Sequence, residues 1–176
     1  MTLAPLAPSA EEAAALDTFE AIMRAMAEPG LLFDLPEPGP ACIGRALIDR
    51  EVGAYAADSA MADTLAALEA RPATLGTADY VFVDATADMP ARLHPGTLAY
   101  PEAGATLIAP VRLGTGPAVR LTGPGIETAR EIRVGLDDAF WAARAAALHY
   151  PLGFDLILHD GAAVLAMPRS TQAEVV

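Results

Sequence analysis

Apolar residues recur at helical spacing early in the chain: Leu16, Phe19, Ile22, Met23 and Met26 share one face and predict a helix buried along that stripe. Ser9-Ala10-Glu11-Glu12 opens it as a capping box, the serine accepting from the amide three residues on and the glutamate reaching back. Pro29-Gly30 ends it, because proline cannot continue a helix and glycine accepts a left-handed exit. Leu31 to Leu35 reads as a short strand, and Pro36 to Pro40 as a proline-rich connection within one domain. Ile43 to Glu51 and Ser59 to Ala70 predict two more helices, the second capped by Asp58 or Ser59. Val52 to Ala56, between them, is poor in β-branched residues and makes a weak strand.

Further on, Tyr80 to Val83, Ala105 to Val111 and Val119 to Thr122 predict strands, with Gly114-Thr115-Gly116-Pro117 as a turn before the last. Asp137 and Asp138 open a helix running through Leu148, their charge placed at its positive end. Phe154 to Leu158 and Ala163 to Met167 flank Asp160-Gly161, a dipeptide favoured in tight hairpins, and Pro168 ends the second of these strands. Helices and strands intermix without internal repeat. The expectation is a single compact α/β domain over residues 1–176, a mixed β-sheet flanked by helices, with residues 1–8 disordered or extended.

Composition narrows the function. At 176 residues the chain is long enough to bury most of its apolar surface, although much of its 53% hydrophobic content is alanine. No run approaches the ~18 apolar residues of a membrane span. The first basic residue is Arg24, after Glu11 and Glu12, which is the wrong pattern for a secretory signal. A single cysteine, Cys42, allows no internal disulfide framework, so a reducing, cytoplasmic location is expected. The net charge is −12 and all 11 basic residues are arginine. No basic cluster suits nucleic acid or an anionic bilayer, so neither is expected as a partner. Without lysine this chain supplies neither a Walker-type phosphate loop nor a Schiff base to pyridoxal phosphate, and no cofactor is expected on it.

Candidate chemistry is sparse. His94, His149, His159 and Cys42 do not pair at zinc-ligand spacings, so no metal site is expected. No Gly-x-Ser-x-Gly elbow is present, and the glycines at 114, 116, 123 and 125 do not complete Gly-x-Gly-x-x-Gly. Glu102, after a proline at a strand entry, is the candidate acid or base, against a plain solvated turn residue. Arg169, after Met167-Pro168, is the candidate anion ligand, since a guanidinium fork suits phosphate or phosphonate oxygens; the competing reading is an ion pair to Asp155 or Glu174. Arg24 is a further ligand-binding candidate on the first helix, against a surface or interface role.

Three separated segments read together: FEAIMRAMAEPG (Phe19 to Gly30), YPEAGATLI (Tyr100 to Ile108) and YPLGFDLILHDGAAVLAMPRST (Tyr150 to Thr171). With RLTGPGI (Arg120 to Ile126) before the last, this combination resembles the PhnH family, the H subunit of the bacterial carbon–phosphorus lyase core complex. The likeness runs from about residue 16 to the C-terminus. It implies a fold similar to the large domain of pyridoxal-phosphate-dependent transferases but without cofactor, and a strand at Val52 to Ala56. It also implies an accessory subunit that acts with partner subunits G, I and L to form ribose 1-methylphosphonate 5-triphosphate from ATP and methylphosphonate. The radical cleavage step belongs to the iron–sulfur subunit J, and the isolated chain is expected to be a homodimer. A stand-alone small-molecule enzyme using Glu102 and Arg169, or a structural dimer without ligand, remain as alternatives.

Overall fold

Helix starts are set by local chemistry. In the computed structural model, which describes residues 8–176, α1 (Ala10–Ala27) carries the capping box in full: Ser9 Oγ accepts from the Glu12 amide at 3.2 Å and Glu12 accepts from the Ser9 amide at 2.7 Å. Of the segment 1–8, expected to be disordered or extended, residues 1–7 lie outside the described residues. The second helix, α2 (Pro40–Leu47), starts on a proline, whose fixed φ suits the first helical position and whose missing N–H would have no partner there. It therefore begins earlier and ends sooner than the Ile43–Glu51 reading. Asp58 caps α3 (Ser59–Ala67) and Asp137 caps α4 (Asp138–Ala147), each accepting from the amide three residues on.

The strands are β1 (Phe33–Asp34), β2 (Gly53–Ala56), β3 (Arg71–Pro72), β4 (Tyr80–Phe82), β5 (Thr106–Pro110), β6 (Leu113–Thr122), β7 (Arg130–Val134), β8 (Asp155–Asp160), β9 (Ala163–Met167) and β10 (Gln172–Val175). Seven form a mixed sheet in the order β1-β9-β8-β5-β4-β2-β3, parallel from β8 to β3, with β9 antiparallel to both neighbours. The weak segment Gly53–Ala56 is a strand after all. Ala54 pairs with Pro72 on one side and Tyr80 on the other, and Asp79 accepts from the Gly53 amide at 2.6 Å, so pairing outweighs propensity.

A second sheet, β10-β6-β7, was not foreseen. The turn expected at Gly114–Pro117 lies inside β6, where the register jumps from Leu113 opposite Val134 to Ala118 opposite Arg133. Gly114 and Gly116, at φ +75° and +80°, absorb that bulge.

The seven-stranded sheet is covered differently on its two faces. Phe82, Ile108, Ile157 and Val164 pack against α1, α2 and α3, whereas Val81, Leu107, Leu156 and Leu165 pack against the three-stranded sheet and α4. The stripe expected to bury α1 needs correction. Thr18, Ala21, Ile22 and Ala25 face the core, while Leu16 (63% exposed), Phe19 (44%) and Met23 (52%) remain in solvent. Small side chains on the inner face let the helix lie close to its neighbours, which hydrophobicity alone does not signal. Among the described residues no helix is long and apolar enough to cross a membrane.

Candidate functional site

Arg169 stands where two of the three singled-out segments meet. Its guanidinium donates to Asp155 through Nε (3.2 Å) and Nη2 (2.5 Å), and its amide donates to the same carboxylate at 2.7 Å. It also donates to the backbone carbonyls of Pro101 and Gly104 at 2.5 and 3.2 Å. Gly104 and Gly153 border this junction, and a Cβ at Gly104 would run into the Arg169 guanidinium and the Gly153 carbonyl. Arg169 thus fastens the Tyr100–Gly104 stretch and the start of β8 to the chain leaving β9. Of the two carboxylates read from sequence, its partner is Asp155.

The remaining segments make a second seam. Arg130 donates to the carbonyls of Glu28 and Pro29, and a Cβ at Gly125, within RLTGPGI, would strike the carbonyl of Ala27. Gly30, at φ +83°, lies against Leu121, Arg130 and Ile132, leaving no room for a side chain. Two glycines of these segments, Gly104 and Gly125, let main chain approach main chain.

Beside the Arg169 junction lies a cleft of about 1200 Å³, between the C-terminal end of α4 and the chain through β6 and β10. Arg120, Arg144, Tyr150, Arg169, Thr171 and Glu174 are among its lining residues. Arg144 is 1% exposed and belongs to none of the ion pairs among the described residues. Its Nη1 donates to the Thr171 carbonyl at 3.0 Å and its Nη2 to the Pro168 carbonyl at 3.1 Å. Burial lowers its pKa to about 10, only partly offset by the charge of Asp155, so it stays protonated at neutral pH. Arg144 Nε and Thr171 Oγ1 are both buried without a hydrogen-bond partner. Arg144 was overlooked in the sequence, although a lone arginine three and four residues after Trp141 and Phe140, on an otherwise apolar helix face, was a usable signal. Thr171 carries no local signal.

The other sequence candidates lie elsewhere. Glu102 is exposed on a 3₁₀ turn, Pro101–Ala103, and does not line the cleft. Arg24 sits in the last turn of α1, its guanidinium 4.8 Å from the centre of the Phe33 ring. Cys42 is buried, its thiol donating to the carbonyls of Glu37 and Gly39 at 3.0 and 3.1 Å, and burial raises its pKa. His94 accepts from the Gly96 amide at 3.1 Å. His159 is buried at the end of β8 and lines a smaller cleft of about 410 Å³ at the carboxyl ends of the parallel strands. That cleft includes Asp58 and Asp84 but no arginine, which is the wrong sign for an oxyanion. Among the described residues no three histidines, cysteines or carboxylates gather as metal ligands would.

Comparison with known proteins bears on the family of the chain. A family model described as bacterial phosphonate metabolism protein (PhnH) matches residues 9–174. Over 112 residues, 62% of this chain and 57% of the relative, there is 41% identity to HtxG of Stutzerimonas stutzeri, named as a candidate C-P lyase subunit. Over 84 residues, 45% of this chain and 41% of the relative, there is 40% identity to alpha-D-ribose 1-methylphosphonate 5-triphosphate synthase subunit PhnH of Rhizobium meliloti (strain 1021). The matched stretches span only about half of each relative's length. The family match itself runs from the capping box of α1 to the last strand, and the chain belongs to the PhnH family of bacterial phosphonate metabolism proteins.

Proposed function

We propose that this chain is an accessory subunit of a carbon–phosphorus lyase system for alkylphosphonate use. In this reading it acts with partner subunits in forming ribose 1-methylphosphonate 5-triphosphate from ATP and methylphosphonate. The observation that carries the reading is the family match across residues 9–174; the names of the two curated relatives give it chemical content. The partners in this reading are the G, I and L subunits, with J performing the radical step, and the complex works in the cytoplasm.

Three features favour a subunit over a self-contained enzyme. Arg169 is held by Asp155 and two main-chain carbonyls, while Glu102 is exposed and outside the arginine cleft, so the two do not form a ready catalytic pair. No lysine is present to hold pyridoxal phosphate covalently, whatever the likeness of the mixed sheet to transferase folds. Leu16, Phe19 and Met23, at helical spacing on α1, leave an exposed apolar stripe of the kind an interface covers; we assign it to pairing with a second copy of the chain. The test is growth: a host deleted for its own H subunit should regain growth on methylphosphonate when it expresses this chain. Failure of the folded, expressed chain to restore growth in a host whose other subunits are close relatives counts against the reading.

A further inference from the structure

We infer that the paired loops at the amino ends of β5 and β8 are a docking surface for a different protein chain, one whose contact face is apolar with a basic side chain at its rim. The choice of occupant rests on the subunit role proposed above; the surface itself rests on geometry. Residues 94–104 lead into β5 and residues 148–153 into β8, and these strands are parallel neighbours, so both loops lie at one end of the sheet. Each projects a tight tip. Thr97 and Tyr100 exchange main-chain hydrogen bonds at 3.1 and 3.0 Å around Leu98-Ala99, and His149 and Leu152 exchange them at 3.0 and 2.9 Å around Tyr150-Pro151. The Gly153 amide donates to the Pro95 carbonyl at 2.9 Å, and Arg169 donates to the Pro101 and Gly104 carbonyls, so the two loops are fastened into one unit.

On this unit stand the three most exposed large apolar side chains among the described residues: Leu98 at 81%, Tyr150 at 76% and Tyr100 at 65%. Single exposed apolar residues call for no explanation, but three on one fastened pair of loops make a patch of the kind partners cover. Composition agrees. The two loops hold no arginine and one carboxylate, Glu102, in a chain that is 19% charged, and loss of charge with gain of tyrosine marks the centre of protein interfaces. The bonds from Arg169 and Gly153 hold the tips in place before a partner arrives, which lowers the ordering cost of binding. Charge then selects the occupant. A second copy would bring a further net charge of −12 and a second Glu102 to loops with no base to meet them, whereas the α1 stripe, assigned above to self-pairing, has Arg24 in its last turn. An anionic bilayer is disfavoured on the same ground. A different chain with an apolar face and a basic side chain opposite Glu102 satisfies both features of the surface.

The test is co-purification of the tagged full chain with the G, I, J and L subunits of its own host, each recovered subunit being identified and quantified. Leu98→Asp and Tyr150→Asp should each lower partner recovery about tenfold, the loss of one interface anchor, and together should abolish it. Glu102→Arg should lower it too, by setting like charges face to face. The light-scattering mass of the isolated chain should stay as in wild type for all of these variants. Circular dichroism checks folding, and Leu98→Ser and Tyr150→Ser replace any aspartate variant that does not fold. Wild-type recovery of partners by the folded double variant, or by Glu102→Arg, overturns the inference and leaves the proposed function standing. A fall in the mass of the isolated double variant from that of a dimer toward 18.2 kDa assigns the tips to self-pairing and overturns it as well. So does flotation of the wild-type chain with phosphatidylcholine–phosphatidylglycerol vesicles that Leu98→Asp abolishes. Absence of partners from the wild-type purification overturns the proposed function and the inference together.

Discussion

Replacing Asp155 by Asn keeps the size of the side chain and removes the charge that faces Arg169. The wild-type carboxylate accepts from the Arg169 amide at 2.7 Å, from Nε at 3.2 Å and from Nη2 at 2.5 Å. The two side chains are only 13% and 17% exposed, so water cannot substitute freely for the lost partner. In the variant an amide group must either lose an acceptor or turn N–H toward N–H, beside a guanidinium left without its counter-charge. Breaking a largely buried pair of this kind costs about 3 kcal/mol. For a chain of this size that lowers Tm by about 6–12 °C. Urea unfolding followed by far-ultraviolet circular dichroism measures the loss directly. Arg92→Gln is the control, because its pair with Asp88 is 55% and 65% exposed and its loss should leave the unfolding midpoint unchanged. A loss below about 1 kcal/mol for Asp155→Asn would refute the account of Arg169 as a fastener.

Other consequences follow from the same geometry. Burial holds the His159 imidazole below its ordinary pKa of 6.5, with Asp160 opposing weakly, so the folded state resists a proton that the unfolded chain accepts. Stability should therefore fall as pH drops through 6.5, and His159→Gln should reduce that slope by up to one proton; identical slopes from urea titrations would contradict it. Gly104→Ala should cost about 2 kcal/mol or more by pushing on Arg169 and the Gly153 carbonyl, whereas alanine at Gly161, which has open space, should cost only the strain of its left-handed conformation, about 1 kcal/mol. Met23→Glu with Leu16→Glu should shift the light-scattering mass from twice 18.2 kDa toward 18.2 kDa at micromolar concentration; an unchanged dimer mass would place the interface elsewhere.

What the sequence disclosed followed from local chemistry. The capping box at Ser9, the aspartates at 58 and 137, and the Asp160-Gly161 hairpin each specify their own geometry within four residues, and each is present. The strands of the parallel core were legible because Val81, Leu107 and Leu156 sit in short apolar runs. The three-stranded sheet was not, because β7 is Arg-Glu-Ile-Arg-Val and β10 is Gln-Ala-Glu-Val, segments that alternate weakly and are held by pairing with β6. The inner face of α1 was misread for a related reason: threonine and alanine pack there while larger apolar residues face solvent. At the candidate site, Arg169 was visible through its motif, but its engagement by Asp155 and the 101–104 carbonyls depends on contacts across 14 and 65–68 residues. Arg144 and Thr171 meet only when α4 and the approach to β10 are brought together.

The most direct test of the central claim is affinity purification of this chain, tagged and co-expressed with the G, I, J and L subunits of its own host. The account predicts a stable assembly in which the chain is stoichiometric with its partners and whose ribose 1-methylphosphonate 5-triphosphate synthesis falls when the chain is left out. Recovery of the folded chain alone, with that synthesis unchanged by its omission, would contradict it.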